Sequence, residues 1–326
     1  MPEIATRPGQ QRFVAPLDET PLQDVDSVDL SAAPESQWKE AWKRMRKSPL
    51  FWISGTLLLV VAIVVAFPGL FTNADPSYEN LSDSLAPARE GHPLGFTQQG
   101  GDVWARTLYG ARASVAVGVF ATLFVTIVGV ITGAMAGFFG GWVDSVISRL
   151  SDIFFSIPLL LAAIVVISII NNVWPERQFW GSVFVVVGAL ALFAWPQITR
   201  QMRGAVLTVK NLEFVDAATA IGASRWKNLV RHIVPNAMAP VIVTATITLG
   251  VFIVAEATLS FLGLGLPRSS VVSWGNDIAA AQVLVRSGQH LEVMFVPATA
   301  LAITVLAFIL LGDAVREAFD PKARKK

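Results

Sequence analysis

No cysteine occurs among the 326 residues, which excludes a disulfide framework, a thiolate metal site and a cysteine nucleophile. Histidine is nearly as scarce. His92, His232 and His290 are the whole set; they are far apart in sequence and read as unrelated loop or surface residues rather than a ligand cluster. The chain contains no G-x-x-x-x-G-K-[ST] stretch and no Gly-Lys pair at all, so it has no phosphate-binding loop of that kind. HExxH, GxSxG and any tight acid–base constellation in a hydrophilic stretch are also missing, which removes the common hydrolase chemistries. The chain therefore reads as a non-catalytic protein without a cofactor of its own. Charge is thin: 15% of residues are Asp, Glu, Lys or Arg, against about a quarter in soluble domains. A net charge of +1 gives no footing for nucleic acid as a partner.

What is present is apolar surface. Hydrophobic residues make up 53% of the chain and its mean hydropathy is +0.56, values that point to a polytopic protein in a lipid bilayer. Residues 1–37 are rich in Pro, Asp, Glu, Ser and Gln and cannot bury enough surface to fold. They read as a disordered cytosolic tail, without the n-region and cleavage site of a secretory signal peptide. A basic segment follows at 38–49, with Lys39, Lys43, Arg44, Arg46 and Lys47 clustered and Trp38 and Trp42 on one helical face, as in a helix lying at the membrane interface. Apolar runs then predict spans at 50–71, 112–138, 151–173, 179–200, 237–261 and 293–312, each near the ~20 residues needed to cross the hydrocarbon core. Most Lys and Arg fall in the N-terminal arm, the 201–236 insert and the 313–326 tail, while 72–111 and 262–292 carry few. The positive-inside rule places both termini and the insert in the cytosol. The expected fold is all-α, with six spans.

Some positions inside the spans need more than lipid contact to explain them. Gly129, Gly133 and Gly137 repeat at four-residue spacing, which suits either close helix packing or a hinge. Pro158 lies early in the third span, where neighbouring helices are expected to satisfy the carbonyl it frees. Glu256 is the one acidic residue well inside an apolar span, and burying a charge there implies a function. Three roles stay open for it: a polar contact on a translocation path or gate, a helix-packing hydrogen bond, or a wet position near the outer interface.

The most informative stretch is 214–235, FVDAATAIGASRWKNLVRHIVP. Phe214, Ala217, Ala218 and Ile221 fall at i, i+3, i+4 and i+7, and Trp226, Leu229, Val230 and Ile233 repeat that spacing. Both halves predict short amphipathic helices. Gly222 sits where a left-handed C-cap needs no Cβ. Ser224 follows Ala223 as an N-cap, and Pro235 is expected to stop the second helix. Neither helix is long enough to cross a bilayer. A bent, surface-lying element of this kind suits contact with a soluble partner.

Asp216-Ala217-Ala218, then Gly222 and Pro235, resembles the cytosolic EAA loop of ABC importer permeases, with Asp216 where Glu is usual and Val234 where Leu is usual. The resemblance continues along the chain. It takes in His92-Pro93-Leu94-Gly95, Gly100 to Arg112, and Phe139-Gly140-Gly141-Trp142-Val143-Asp144. It goes on through Ala255-Glu256-Ala257, Gly265-Leu266-Pro267, Ser273-Trp274-Gly275-Asn276, and Leu311 to Arg316 with Asp320-Pro321. In this order these motifs are similar to the C-type permease subunit of dipeptide, oligopeptide and nickel importers. Residues 96–101 (FTQQGG) depart from the family, which usually has acidic and arginine residues there.

The resemblance implies a type I ABC importer permease fold in the plasma (inner) membrane of a bacterium, with a homologous second permease subunit, two ATPase subunits and an extracytoplasmic substrate-binding protein. It implies that ATP and Mg bind on the ATPase subunits, and that Phe214, Asp216, Ala217, Ala218, Ile221, Gly222, Ala223 and Pro235 form the coupling helix docking into them. The contrasting expectation, an ion-coupled secondary transporter or channel without an ATPase, calls for inverted repeats and several buried charges at the midplane.

Overall fold

The computed structural model describes residues 37–319, so the expected tail before Gln37 and residues 320–326 lie outside the described residues. The chain divides into two units, Met1–Glu40 and Ala41–Lys326. Of the first, only the opening residues of helix α1 (Gln37–Met45) are described. The second unit holds all the other helices: α2 (Pro49–Ala66), α3 (Val103–Phe139), α4 (Gly141–Phe155), α5 (Leu159–Val173), α6 (Phe179–Val209), α7 (Glu213–Ala220), α8 (Arg225–Asn228), α9 (Val234–Phe261), α10 (Trp274–Ser287) and α11 (Glu292–Phe319). No β-strand occurs among the described residues. Five helical stretches are long and apolar enough to cross a membrane, and α4 with α5 passes as a sixth only if that pair, bent by 82°, counts as one span.

Local chemistry sets the helix ends, and several differ from expectation. Helix α3 starts at Val103, nine residues (112 − 103) before the span expected at 112–138, because Asp102 caps it by accepting from the Ala105 N–H. It ends at Gly140, which with Gly141 adopts positive φ (65° and 55°), a turn that favours residues without Cβ. The span expected at 151–173 is not one helix. Pro158 has no N–H and disfavours a helical residue before it, so α4 ends at Phe155 and α5 begins after the proline. The loop expected at 262–292 contains α10, capped by the Ser273 hydroxyl, and α11 runs into the tail expected from 313. Helix α6 has 31 residues, about 46 Å at 1.5 Å per residue, well beyond a ~30 Å hydrocarbon core.

The core sets small residues of α3 against larger side chains of α6 and α9. Ala113, Val117, Ala121 and Val125 of α3 are buried in one cluster with Ile198, Met202 and Val206 of α6 and Phe252 and Leu259 of α9. The glycine row of α3 lies against α6. A Cβ on Gly129 would fall 2.5 Å from the Ile198 Cβ, one on Gly133 2.4 Å from the Thr199 carbonyl oxygen, and one on Gly137 2.9 Å from the Arg203 carbonyl oxygen. Close packing, not a hinge, accounts for that spacing. Large apolar side chains such as Trp52, Leu59, Phe124, Ile131 and Leu161 point outward, as they do when the solvent is lipid.

Candidate functional site

The 213–233 stretch folds into the expected bent element. Helix α7 closes with a Schellman turn: the Gly222 N–H donates to the Thr219 carbonyl and the Ala223 N–H to the Ala218 carbonyl, both at 3.0 Å. Gly222 has φ +91°, and open space where a Cβ would stand, so the backbone conformation alone calls for glycine. The Ser224 hydroxyl caps α8, accepting from the Lys227 N–H at 3.3 Å, and the Asn228 amide donates to the Thr219 hydroxyl at 2.8 Å, clamping α7 to α8.

The two faces of this element are distinct. Val215, Ala218, Leu229 and Ile233 are buried within the chain, while Phe214, Trp226 and Val230 are exposed and Ile221 is 87% exposed. Asp216 and Ala217 share the exposed side, and Ala223 and Pro235 are half-buried. Ala218 therefore leaves the expected docking row: it lies three residues after Val215 and turns with it into the core. Pro235 also departs from expectation, since it does not stop the helix. A π-helical turn over Leu229–Ile233, closed by the Val234 N–H donating to the Leu229 carbonyl, widens the coil just where the proline ring needs room and an N–H is missing. The chain then continues into α9 with Pro235 in its first turn.

The helix ends around the element are tied to one another, and the element itself to α3. The Lys210 ammonium donates to the Gly137 carbonyl at 2.8 Å, and the Arg203 guanidinium donates to both Asp144 carboxylate oxygens at 2.5 and 2.6 Å. Trp226 stacks on Phe139 with ring centroids 6.5 Å apart and planes 22° from parallel. These contacts join the ends of α3, α4 and α6, and the bent element rests on the end of α3 through Trp226.

Glu256 is wholly buried, which removes the wet-interface role. The Ser260 hydroxyl donates to it at 2.8 Å, and the Ser114 and Ser273 hydroxyls face it. It therefore stands where α3, α9 and the approach to α10 meet, and Gly275 permits that approach because a Cβ there would fall 2.6 Å from the Ala257 carbonyl oxygen.

A second buried polar centre lies beside it and was not singled out in the sequence. Arg106 of α3 donates to the Asp277 carboxylate through Nε at 2.9 Å and Nη2 at 2.7 Å, and Nη1 reaches Glu79 at 2.8 Å. Both Arg106 and Asp277 side chains are 5% exposed. Burial pushes the Asp277 carboxyl above the ordinary carboxylate range and Arg106 pulls it back. Nearby, His92 Nδ1 bonds Asp102 at 2.6 Å, so one of the three histidines reinforces the N-terminus of α3. These partners are 171 and 10 residues apart, and no local pattern along the chain signals the longer pair. A groove of about 480 Å³ at the α4–α5 break, lined by Phe155, Pro158, Gln197, Thr244, Thr248 and Phe252, was equally unforeseen. No group of His, Asp and Glu able to hold a metal ion occurs among the described residues.

Comparison with known proteins bears on this geometry. Residues 129–325 match the family described as binding-protein-dependent transport system inner membrane component. Residues 36–88 match the N-terminal TM domain of oligopeptide transport permease C. The chain is 34% identical over 300 residues to the oligopeptide transport system permease protein OppC of Bacillus subtilis, covering 92% of this chain and 94% of that one. It is 33% identical over 317 residues to the glutathione transport system permease protein GsiD of Escherichia coli O157:H7, covering 96% and 98%. Among solved structures, a chain of the inward-facing MetNI methionine ABC transporter superposes with a TM-score of 0.53 at 18% identity, covering 66% of this chain and 96% of that chain, a likeness of fold.

Proposed function

The chain belongs to the family of binding-protein-dependent transport system inner membrane components, and from that premise we infer how it works as the permease subunit of an ATP-driven peptide importer. In this reading α4 and α5 together form one of six spans, and both termini and the bent element lie in the cytosol of a bacterial cell. The exposed row of Phe214, Ala217, Ile221 and Trp226 docks in a groove on an ATPase subunit, where ATP and Mg bind. A homologous second permease faces the groove at the α4–α5 break and completes the path, because a peptide's polar backbone needs shielding from lipid on every side. An extracytoplasmic binding protein delivers the substrate. Closure of the ATPase pair pushes on the bent element, and α6 and α9, continuous with it at either end, carry the displacement across the membrane.

The observation that supports this most is the two-faced character of the element. One row is buried in its own helix bundle while four large apolar residues, Phe214, Ile221, Trp226 and Val230, remain uncovered, and a surface of that kind marks an interaction site. The test is co-purification of the chain with candidate ATPase subunits, comparing wild type with Gly222→Pro and with a deletion of 211–235, followed by ATP-dependent peptide uptake in proteoliposomes. Association lost on deletion, and hydrolysis uncoupled from uptake in Gly222→Pro, are the expected results. Uptake driven by an ion gradient with no ATPase present would overturn the reading in favour of a secondary transporter.

A further inference from the structure

At the end of α9 remote from the bent element, a cavity of about 490 Å³ opens between the loop before α6, the close of α9 and the start of α10. Asn171, Arg177, Ser260, Arg268 and Asn276 supply its polar lining. Arg177 is the built part of the site. Its side chain is 5% exposed, Nη1 donates to the Trp174 carbonyl at 2.7 Å and Nη2 to the Asn171 side-chain oxygen, so the guanidinium plane is fixed. Its Nε–H is buried without a partner, a state that native proteins rarely leave unanswered. Arg268 lines the same cavity and is exposed. Among the described residues neither arginine forms an ion pair with an acidic side chain. Asp277, within electrostatic reach of Arg268, is already engaged by Arg106.

We propose that this cavity is a carboxylate-recognition site, in which Arg177 and Arg268 receive the free C-terminal carboxylate of the peptide being carried. The inference rests on the peptide-importer reading and adds a specificity contact to it. A guanidinium presents donors in a planar fork that matches a carboxylate, and two of them without an ion-pair partner favour an anion. The volume is in the range of small-ligand sites and suits a terminal residue better than a folded protein segment. Most of the other polar lining is occupied: the Ser260 hydroxyl serves Glu256 and the Leu266 N–H, the Asn276 amide N–H groups serve the Leu266 and Val271 carbonyls, and the Asn171 side-chain oxygen serves Arg177, which leaves the Asn171 amide as a neutral donor beside the two guanidinium groups. Charge recognition therefore falls to the arginines.

The assay is ATP-dependent uptake by the full complex in proteoliposomes, with the same binding protein throughout, of one peptide with a free C-terminus and of its C-terminal amide. Contributions of the binding protein cancel when the KM ratio of amide to acid is compared between complexes. Arg177→Gln and Arg268→Gln are each expected to lower that ratio by about tenfold, the size of one lost charged hydrogen bond, with Arg177→Lys restoring part of it. Arg268 is exposed, so its variant keeps the test valid if Arg177→Gln does not fold. An unchanged ratio in both variants overturns the proposal while leaving the importer reading intact. Loss of binding-protein-stimulated ATP hydrolysis with either peptide overturns it too, reassigning the arginines to docking. If the wild-type complex imports neither peptide, the failure lies with the importer reading.

Discussion

A methyl group added at Gly133 would stand 2.4 Å from the Thr199 carbonyl oxygen and 2.8 Å from the Met202 Cβ, so two helix backbones must part to admit it. Gly133→Ala is expected to destabilise the chain by about 1–3 kcal/mol, read as a lower thermal midpoint in detergent. Gly188→Ala, in a helix but facing open space, serves as the control and is expected to hold or raise the midpoint by helix propensity. Glu256 allows a sharper separation of roles. If it anchors helices, Glu256→Gln keeps the acceptor for Ser260 and leaves both midpoint and uptake near wild type, whereas Glu256→Ala costs about 2–4 kcal/mol by opening a polar cavity. A Glu256→Gln variant with an unchanged midpoint and no uptake would instead make the carboxylate part of the path. The sequence exposed Glu256 as an acid in an apolar run, and the glycine row by its four-residue spacing. It could not show the serines around Glu256, because Ser114 and Ser273 come from remote segments that meet only through tertiary packing.

At the scale of elements, the Arg106–Asp277 pair joins α3 to α10 and is nearly dry. Removing one partner leaves a buried charge, so Arg106→Leu is expected to cost about 3–5 kcal/mol. Arg106→Leu with Asp277→Leu is expected to recover most of that loss, a coupling that a double-mutant cycle on thermal midpoints measures. Independent additive losses would mean the pair does not hold the two helices together. On the bent element, Ile221→Asp lies on the exposed row and is expected to abolish ATPase association while leaving the midpoint within about 0.5 kcal/mol of wild type. Leu229→Asp, on the buried row, is expected to lower the midpoint directly. The i, i+3, i+4 pattern revealed two short helical pieces, yet it put buried Ala218 with exposed Phe214 and Ile221 and buried Leu229 and Ile233 with exposed Trp226 and Val230, while Gly222 marked the joint correctly and Pro235 did not stop the second helix. Prolines show why element ends resist reading from sequence. Pro196, Pro240 and Pro297 lie inside intact helices, Pro235 is accommodated by a π turn, and Pro158 marks a break of 82°. The residue type is constant, and the surrounding packing decides between these outcomes.

For the molecule as a whole, the mechanism requires some helix pairs to move together and others to part. The α3–α6 interface is the candidate for a unit that does not shear, because its glycines bring the backbones into contact and any sliding would drive the Ile198 and Val206 side chains into them. Bistable rearrangement is expected instead where packing is looser, at the break between α4 and α5. The absence of cysteine makes this directly testable. The hydroxyls of Thr132 and Thr199 meet across α3 and α6 at 2.8 Å, so Thr132→Cys with Thr199→Cys places the only two thiols in the chain at bonding reach. Oxidation is expected to form the disulfide in the assembled complex and to leave ATP-dependent uptake within about twofold of the reduced form, since locking a pair that never parts removes no step. Uptake that stops on oxidation and returns with reductant would show that α3 and α6 slide in each cycle. The lever would then have to end within α6 itself rather than pass through an α3–α6 block.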